Sequence, residues 1–96
     1  MPYLFEVIDK TGRKVRLTKD RWTHIRENHQ NVEDTEEIIQ TLQKADRVII
    51  EERENVEYFF KYFKHKKYKS KFLKVIVRYL NNEGDVLSAH FVRNIR

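Results

Sequence analysis

The chain predicts an α+β domain in which an N-terminal hairpin and two short helices pack on a four-stranded antiparallel meander sheet. Two capped segments with apolar residues at helical spacing occupy the stretch from Thr18 to Lys44. Four β-branched or aromatic runs, separated by turn residues, follow from Arg47 onward. The last two runs, Phe72 to Leu80 and Val86 to Val92, flank an Asn/Gly segment in the manner of a β-hairpin. Ninety-six residues are enough for one domain, 1–96, with a single modest core.

Each element has a local cause. Tyr3, Phe5 and Val7 alternate, Thr11-Gly12 is a turn, and Lys14-Val15-Arg16-Leu17 returns, which predicts a small hairpin or edge strand pair. Thr18 is an N-cap residue with Asp20 in the first turn, so a helix runs from about Lys19 to His29. Its stripe of Trp22, Ile25 and His29 faces the sheet, with His24 and Asn28 well round from it. Asn31 or Asp34 caps a second helix through about Lys44, whose buried stripe is Ile38, Ile39 and Leu42. Arg47 to Glu52 is a strand, Arg53-Glu54-Asn55 a turn, and Val56 to Phe63 an aromatic strand. His65 to Ser70 is a basic loop leading into the final hairpin.

That hairpin sorts its residues by parity. Leu73, Val75, Val77, Tyr79, Leu87, Ala89 and Phe91 form the apolar face, whereas Lys74, Ile76, Arg78, Ser88 and His90 occupy the other. A three-residue loop, Asn82-Glu83-Gly84 with positive φ at the glycine, sets Arg78 opposite Ser88 and Ile76 opposite His90. A loop of two or four residues shifts the register by one and breaks this parity.

Charge is unevenly placed within a net of +5. From Glu27 to Glu57 carboxylates dominate, while Lys61 to Arg78 holds eight cations and no carboxylate. The asymmetry suggests a polyanionic partner at the basic end, solvated lysines being the plain alternative. Cysteine is absent, which excludes a disulfide framework and thiolate chemistry. With no leader pattern and no long apolar run, a cytoplasmic protein without membrane contact is expected.

Histidine is the natural candidate for proton transfer near neutral pH. His24 and His29 lie about 140° apart round a helix and cannot form the i, i+4 pair of a zinc site. Glu33 and Glu37 do have that spacing, but with Asp34 and Glu36 they suit a helix N-terminus or a solvated face, so neither metal nor cofactor is expected. With only two glycines there is no phosphate loop and no nucleophile elbow. Metal-free RNA cleavage instead needs a base for the 2′-OH, an acid for the leaving 5′-oxygen, and cations around the phosphate. His24, His29, Ser88 and His90 supply the catalytic candidates. Lys74, Arg78, Lys61 and Lys64 supply cations, and Tyr62 and Tyr58 offer rings for stacking bases if their face is exposed.

Arg21-Trp22-Thr23-His24-Ile25 followed by His29, together with Val75-Ile76-Val77-Arg78 and Ser88-Ala89-His90-Phe91, resembles the phage-associated nuclease-like domains of the barnase, EndoU, colicin and RelE superfamily. The resemblance extends from Leu17 onward in the right order. It implies a metal-independent endoribonuclease of a toxin or mobile element, with His24 and His29 as the helical histidines, Ser88 as the last-strand hydroxyl, and Lys74 or Arg78 as the strand cation. Gln30 stands where proline commonly follows the second histidine, and His90 where an aromatic is usual. The implied partners are RNA and a cognate antitoxin or immunity protein. An exposed sheet edge suits a homodimer. A non-catalytic nucleic-acid-binding module on the same basic face, or a protein-interaction domain using the acidic surface, are the alternatives, because fold does not fix function.

Overall fold

A computed structural model describes residues 3–95. The elements follow in the order β1 (Tyr3–Ile8), β2 (Lys14–Thr18), α1 (Lys19–Asn28), α2 (Thr35–Gln43), β3 (Arg47–Glu51), β4 (Val56–Tyr62), β5 (Phe72–Leu80) and β6 (Glu83–Val92). The local signals place both helix starts. The Thr18 side chain accepts a hydrogen bond from the Arg21 N–H, and Asp34 does the same for Glu37, each satisfying a donor that the first helical turn leaves unpaired.

The α+β class holds, and the sheet is larger than the predicted four-stranded antiparallel one. Among the described residues it has six strands in the order β1-β2-β6-β5-β4-β3. The N-terminal hairpin is part of it, because β2 pairs in parallel with the start of β6 through Lys14–Glu83, Val15–Gly84 and Arg16–Asp85. The helices carry the chain across one face to the far edge, from which β3 to β6 meander back to β2. Beyond Asp85, no strand among the described residues lies on the outer side of β6, and α1 packs against it.

Ile25 of α1, Val32, and Ile38 and Leu42 of α2 close over Val15, Leu17, Phe59, Leu73, Val75, Val77 and Ala89, all of them fully buried. Fully burying aliphatic or aromatic side chains of this size contributes about 1.5–3 kcal/mol each, and this core holds the helices on the sheet.

The β5–β6 turn differs from the predicted three-residue loop. Asn81 and Asn82 alone connect the strands, with φ of 53° and 66°, and Leu80 faces Glu83. Two successive positive-φ residues form the tight hairpin turn whose twist suits paired strands, and asparagine tolerates that conformation. The shorter loop displaces the register, so Arg78 faces Asp85, Ile76 faces Ser88 and Lys74 faces His90. Parity survives because the register slips once more between Ile76 and Val77, leaving Leu87 as an extra residue on β6. Gly84 is required for a reason other than turn geometry: a Cβ there would lie 2.7 Å from both Tyr79 Cε1 and Val77 Cγ1.

Polar groups on the helix-bearing side pair with one another. The buried Asp9 carboxylate accepts from the Tyr79 hydroxyl, and from the Thr11 and Arg13 N–H groups at 2.8 and 3.1 Å. Arg13 stacks its guanidinium 3.6 Å from the Tyr79 ring centroid and pairs with buried Glu57. The β1–β2 turn is thereby tied to β4 and β5. Burial first, then the bond to Asp9, pushes the Tyr79 hydroxyl far above its usual range.

Lys66 corrects the expectation of a uniformly basic loop. It is only 5% exposed. Its ammonium donates to the Asn31 carbonyl at 2.9 Å and to Glu33 and Glu37 at 2.8 and 2.7 Å, pinning the loop to the start of α2.

Candidate functional site

The face of the sheet turned away from the helices carries the even positions of β5, and pairing places them in rows. Arg16, Asp85 and Arg78 form the first row, Ser88, Ile76 and Tyr58 the second, and His90, Lys74 and Phe60 the third. Val92, Phe72 and Tyr62 form the fourth. Successive rows lie about 7 Å apart along the strands, so the His90 row is about 13 Å from the Arg78 row, roughly the reach of a short oligonucleotide segment. Lys74, Arg78, Ser88 and His90 do share a face, with Lys74 as the partner of His90 and Arg78 displaced toward Asp85.

The helix completes the third row. His29 caps the C-terminus of α1, with its N–H bonded to the Ile25 carbonyl. Because α1 lies against the open side of β6, the His29 ring stacks on His90 with centroids 5.1 Å apart and planes inclined by 30°. Burial, then the neighbouring His29 and Lys74, holds the His90 imidazole below the usual histidine range. Among the described residues its buried Nδ1 has no hydrogen-bond partner, so the doubly protonated ring would bury an N–H with none of them to receive it. Both facts favour neutral His90, the form that accepts a proton.

Lys74 places its ammonium 4.7 Å from the Tyr58 ring centroid and 5.9 Å from that of Phe60. Among the described residues neither Lys74 nor Arg78 has a carboxylate within ion-pair distance. Stacking on aromatic rings orients Lys74 without neutralising it. A cavity of about 390 Å³ lies beside it, lined by Phe60, Lys74, Val92, Arg93 and Asn94. Tyr62 is 44% exposed beside Phe72, with ring centroids 5.3 Å apart, and it presents a base-sized apolar surface at the end of the face.

Several expected site residues fall elsewhere. His24 is exposed on α1, its Nδ1 3.4 Å from the Asn28 amide nitrogen, and the turn of the helix keeps it off the stripe that delivers His29. Lys61 pairs with Leu73 and so points to the helix-bearing side, where its ammonium lies 5.0 Å from the Phe63 ring. Lys64 is exposed beyond the end of β4, outside the rows.

Other groups join the face without having been anticipated. Arg16, Arg21, Arg78 and Asp85 share a second cavity, of about 350 Å³. Arg21 stood in the quoted helical motif and Arg16 in an alternating strand, but only the parallel β2–β6 pairing brings them to the hairpin. Among the described residues no group of three or more histidine, aspartate or glutamate side chains is placed to hold a metal ion, and no helix is long and apolar enough to cross a membrane. Comparisons with protein-family models, curated proteins and solved structures gave no match.

Proposed function

We propose that the chain is a metal-independent endoribonuclease whose centre is the His29–His90 pair beside Lys74. The observation that carries this is the stacking of two imidazoles at 5.1 Å beside Lys74, which has no carboxylate within ion-pair distance among the described residues. Burial and the neighbouring His29 and Lys74 hold His90 below the usual histidine range, which suits it to the role of base in the proposed couple. Neutral His90 takes the proton of the ribose 2′-OH. The 2′-oxygen bonds to phosphorus, the bond from phosphorus to the 5′-oxygen breaks, and His29 delivers its proton to that leaving oxygen. Lys74 stabilises the charge on the pentavalent phosphate, and the Ser88 hydroxyl, one row away, orients a non-bridging oxygen. Tyr58 and Tyr62 support the bases of the strand. As a toxin-like nuclease, the protein would be silenced by a partner that covers this basic face.

Incubation of the purified protein with mixed cellular RNA in EDTA tests the assignment. Fragments ending in 2′,3′-cyclic phosphate, lost in His90→Ala and in His29→Ala, are expected. Intact RNA together with salt-sensitive binding would replace the enzyme with a non-catalytic binding module using the same face.

A further inference from the structure

Among the described residues the sheet ends in two edge strands, β1 and β3, and an edge leaves a row of backbone N–H and C=O groups open to pairing. Antiparallel pairing of an edge with a second copy of itself sets residues of one face opposite one another, symmetrically about a central residue. Self-pairing therefore demands that the edge be complementary to its own copy. β1 is not. Its exposed residues are Leu4, Glu6 and Ile8. Pairing centred on Glu6 opposes two carboxylates, and pairing centred on Phe5 or Val7 sets Glu6 opposite Leu4 or Ile8.

β3 reads Arg47-Val48-Ile49-Ile50-Glu51, with opposite charges at its ends and three β-branched residues between them. Pairing centred on Ile49 sets Arg47 opposite Glu51 at both ends, Val48 opposite Ile50, and Ile49 opposite its own copy. Centring on Val48 or Ile50 instead sets Ile49 opposite Arg47 or Glu51, so the terminal charges select one register. These groups are available. Arg47 and Glu51 are exposed, and among the described residues neither has an ion-pair partner. Their register partners on β4 are Phe60 and Val56, which places both charges on the open face with Ile49 between them. On the other face α2 packs over β4, β5 and β1, and Ile50 is 61% exposed. β3 contains neither the proline nor the lysine that commonly blocks a sheet edge.

We propose that the chain forms a two-fold symmetric dimer by antiparallel pairing of β3 with the β3 of a second copy, in the register centred on Ile49. The two six-stranded sheets then join edge to edge. A contact that uses the same patch on both copies closes on itself and does not propagate. Its axis runs perpendicular to the sheet, so the helices of both copies lie on one side and the two open faces lie side by side on the other. The pairing is independent of the nuclease assignment. With five strand residues from each copy the interface is small, and the dimer is a weak one.

Sedimentation equilibrium of the full chain tests the pairing. The wild-type protein is expected to dimerise with a dissociation constant of about 1–100 µM. Arg47→Glu opposes like charges at both ends of the strand pair, as does Glu51→Arg, and each variant alone should dimerise about tenfold or more weakly at low salt. Mixed in equal amounts, the two variants restore every opposite-charge pair, so heterodimers should form with near wild-type affinity. Both positions are exposed, and backbone chemical shifts unchanged outside β3 would verify the fold of each variant. A wild-type chain that stays monomeric up to about 1 mM would overturn the proposal and leave this edge to a strand of another protein. A dimer that neither variant weakens, or that the mixture fails to restore, would place the contact on another surface and overturn the pairing as well.

Discussion

The two faces of one sheet treat charge in opposite ways. On the helix-bearing side, Lys66 is enclosed by Glu33, Glu37 and a backbone carbonyl, Arg13 by Glu57 and the Tyr79 ring, and Asp9 by two hydroxyls and two backbone donors. These groups pair with one another, although Glu57 keeps one buried oxygen without a partner among the described residues, so they hold elements together and leave little for a ligand. On the open side, Lys74 leans on aromatic rings, the exposed Arg78 has no carboxylate within ion-pair distance among the described residues, and His90 carries an orphaned nitrogen. Cations left unneutralised on an accessible face keep their attraction for a polyanion. A basic stretch in the sequence is therefore two things in the structure, a set of structural pins and a set of cations on the open face without carboxylate partners among the described residues.

Substitutions on the two faces should separate these roles. The largest expected effect is on turnover. His90→Ala should lower RNA cleavage by about 10²–10⁴-fold, with denaturant unfolding close to wild type. Lys66→Ala should act on the opposite observable. It leaves buried Glu37 without its cation, so urea unfolding should report a loss of about 3 kcal/mol or more while the salt dependence of RNA binding stays unchanged. An unaltered midpoint in that variant would dissolve the contrast between the faces.

Lys74→Ala should weaken RNA binding across sequences and reduce the slope of log affinity against log salt by about 1, because the proposed phosphate contact is lost, with little change in unfolding. The smallest effect concerns pH. The folded-state pKa of His90 is lowered by burial and by its cationic neighbours, so between the unfolded value of about 6.5 and the lower folded value the unfolded chain binds more protons. Stability should fall as pH drops through that window and be retained above it. His90→Gln should flatten this part of a denaturant-midpoint profile measured from pH 7.5 to 5.

Much of the architecture is legible locally. Thr18 and Asp34 cap their helices as their residue types predict, and alternation in β5 assigns Leu73, Val75, Val77 and Tyr79 to the core. Lys61 was separable from Lys74 by the same rule, since it sits at an odd position of β4, between buried Phe59 and Phe63. The turn was harder. Gly84 draws attention as the positive-φ residue, yet Asn81 and Asn82 adopt that conformation and the glycine is needed because Tyr79 and Val77 crowd it. A glycine in a sequence does not distinguish backbone freedom from the need for space.

The sequence by itself determined which elements form and which side of each faces the core, because capping, turn chemistry and periodicity act within a few residues. A three-residue loop predicts that Lys74, Arg78, Ser88 and His90 share a face, but the two-residue turn breaks that parity and only the extra residue on β6 restores it. Tertiary structure alone decided that β2 lies beside β6, that Arg16 and Arg21 join Asp85, that Lys66 is buried against α2, and that His29 stacks on His90. Those meetings join residues far apart in the chain. Periodicity records the side an element buries and carries no information about which element comes to lie against it.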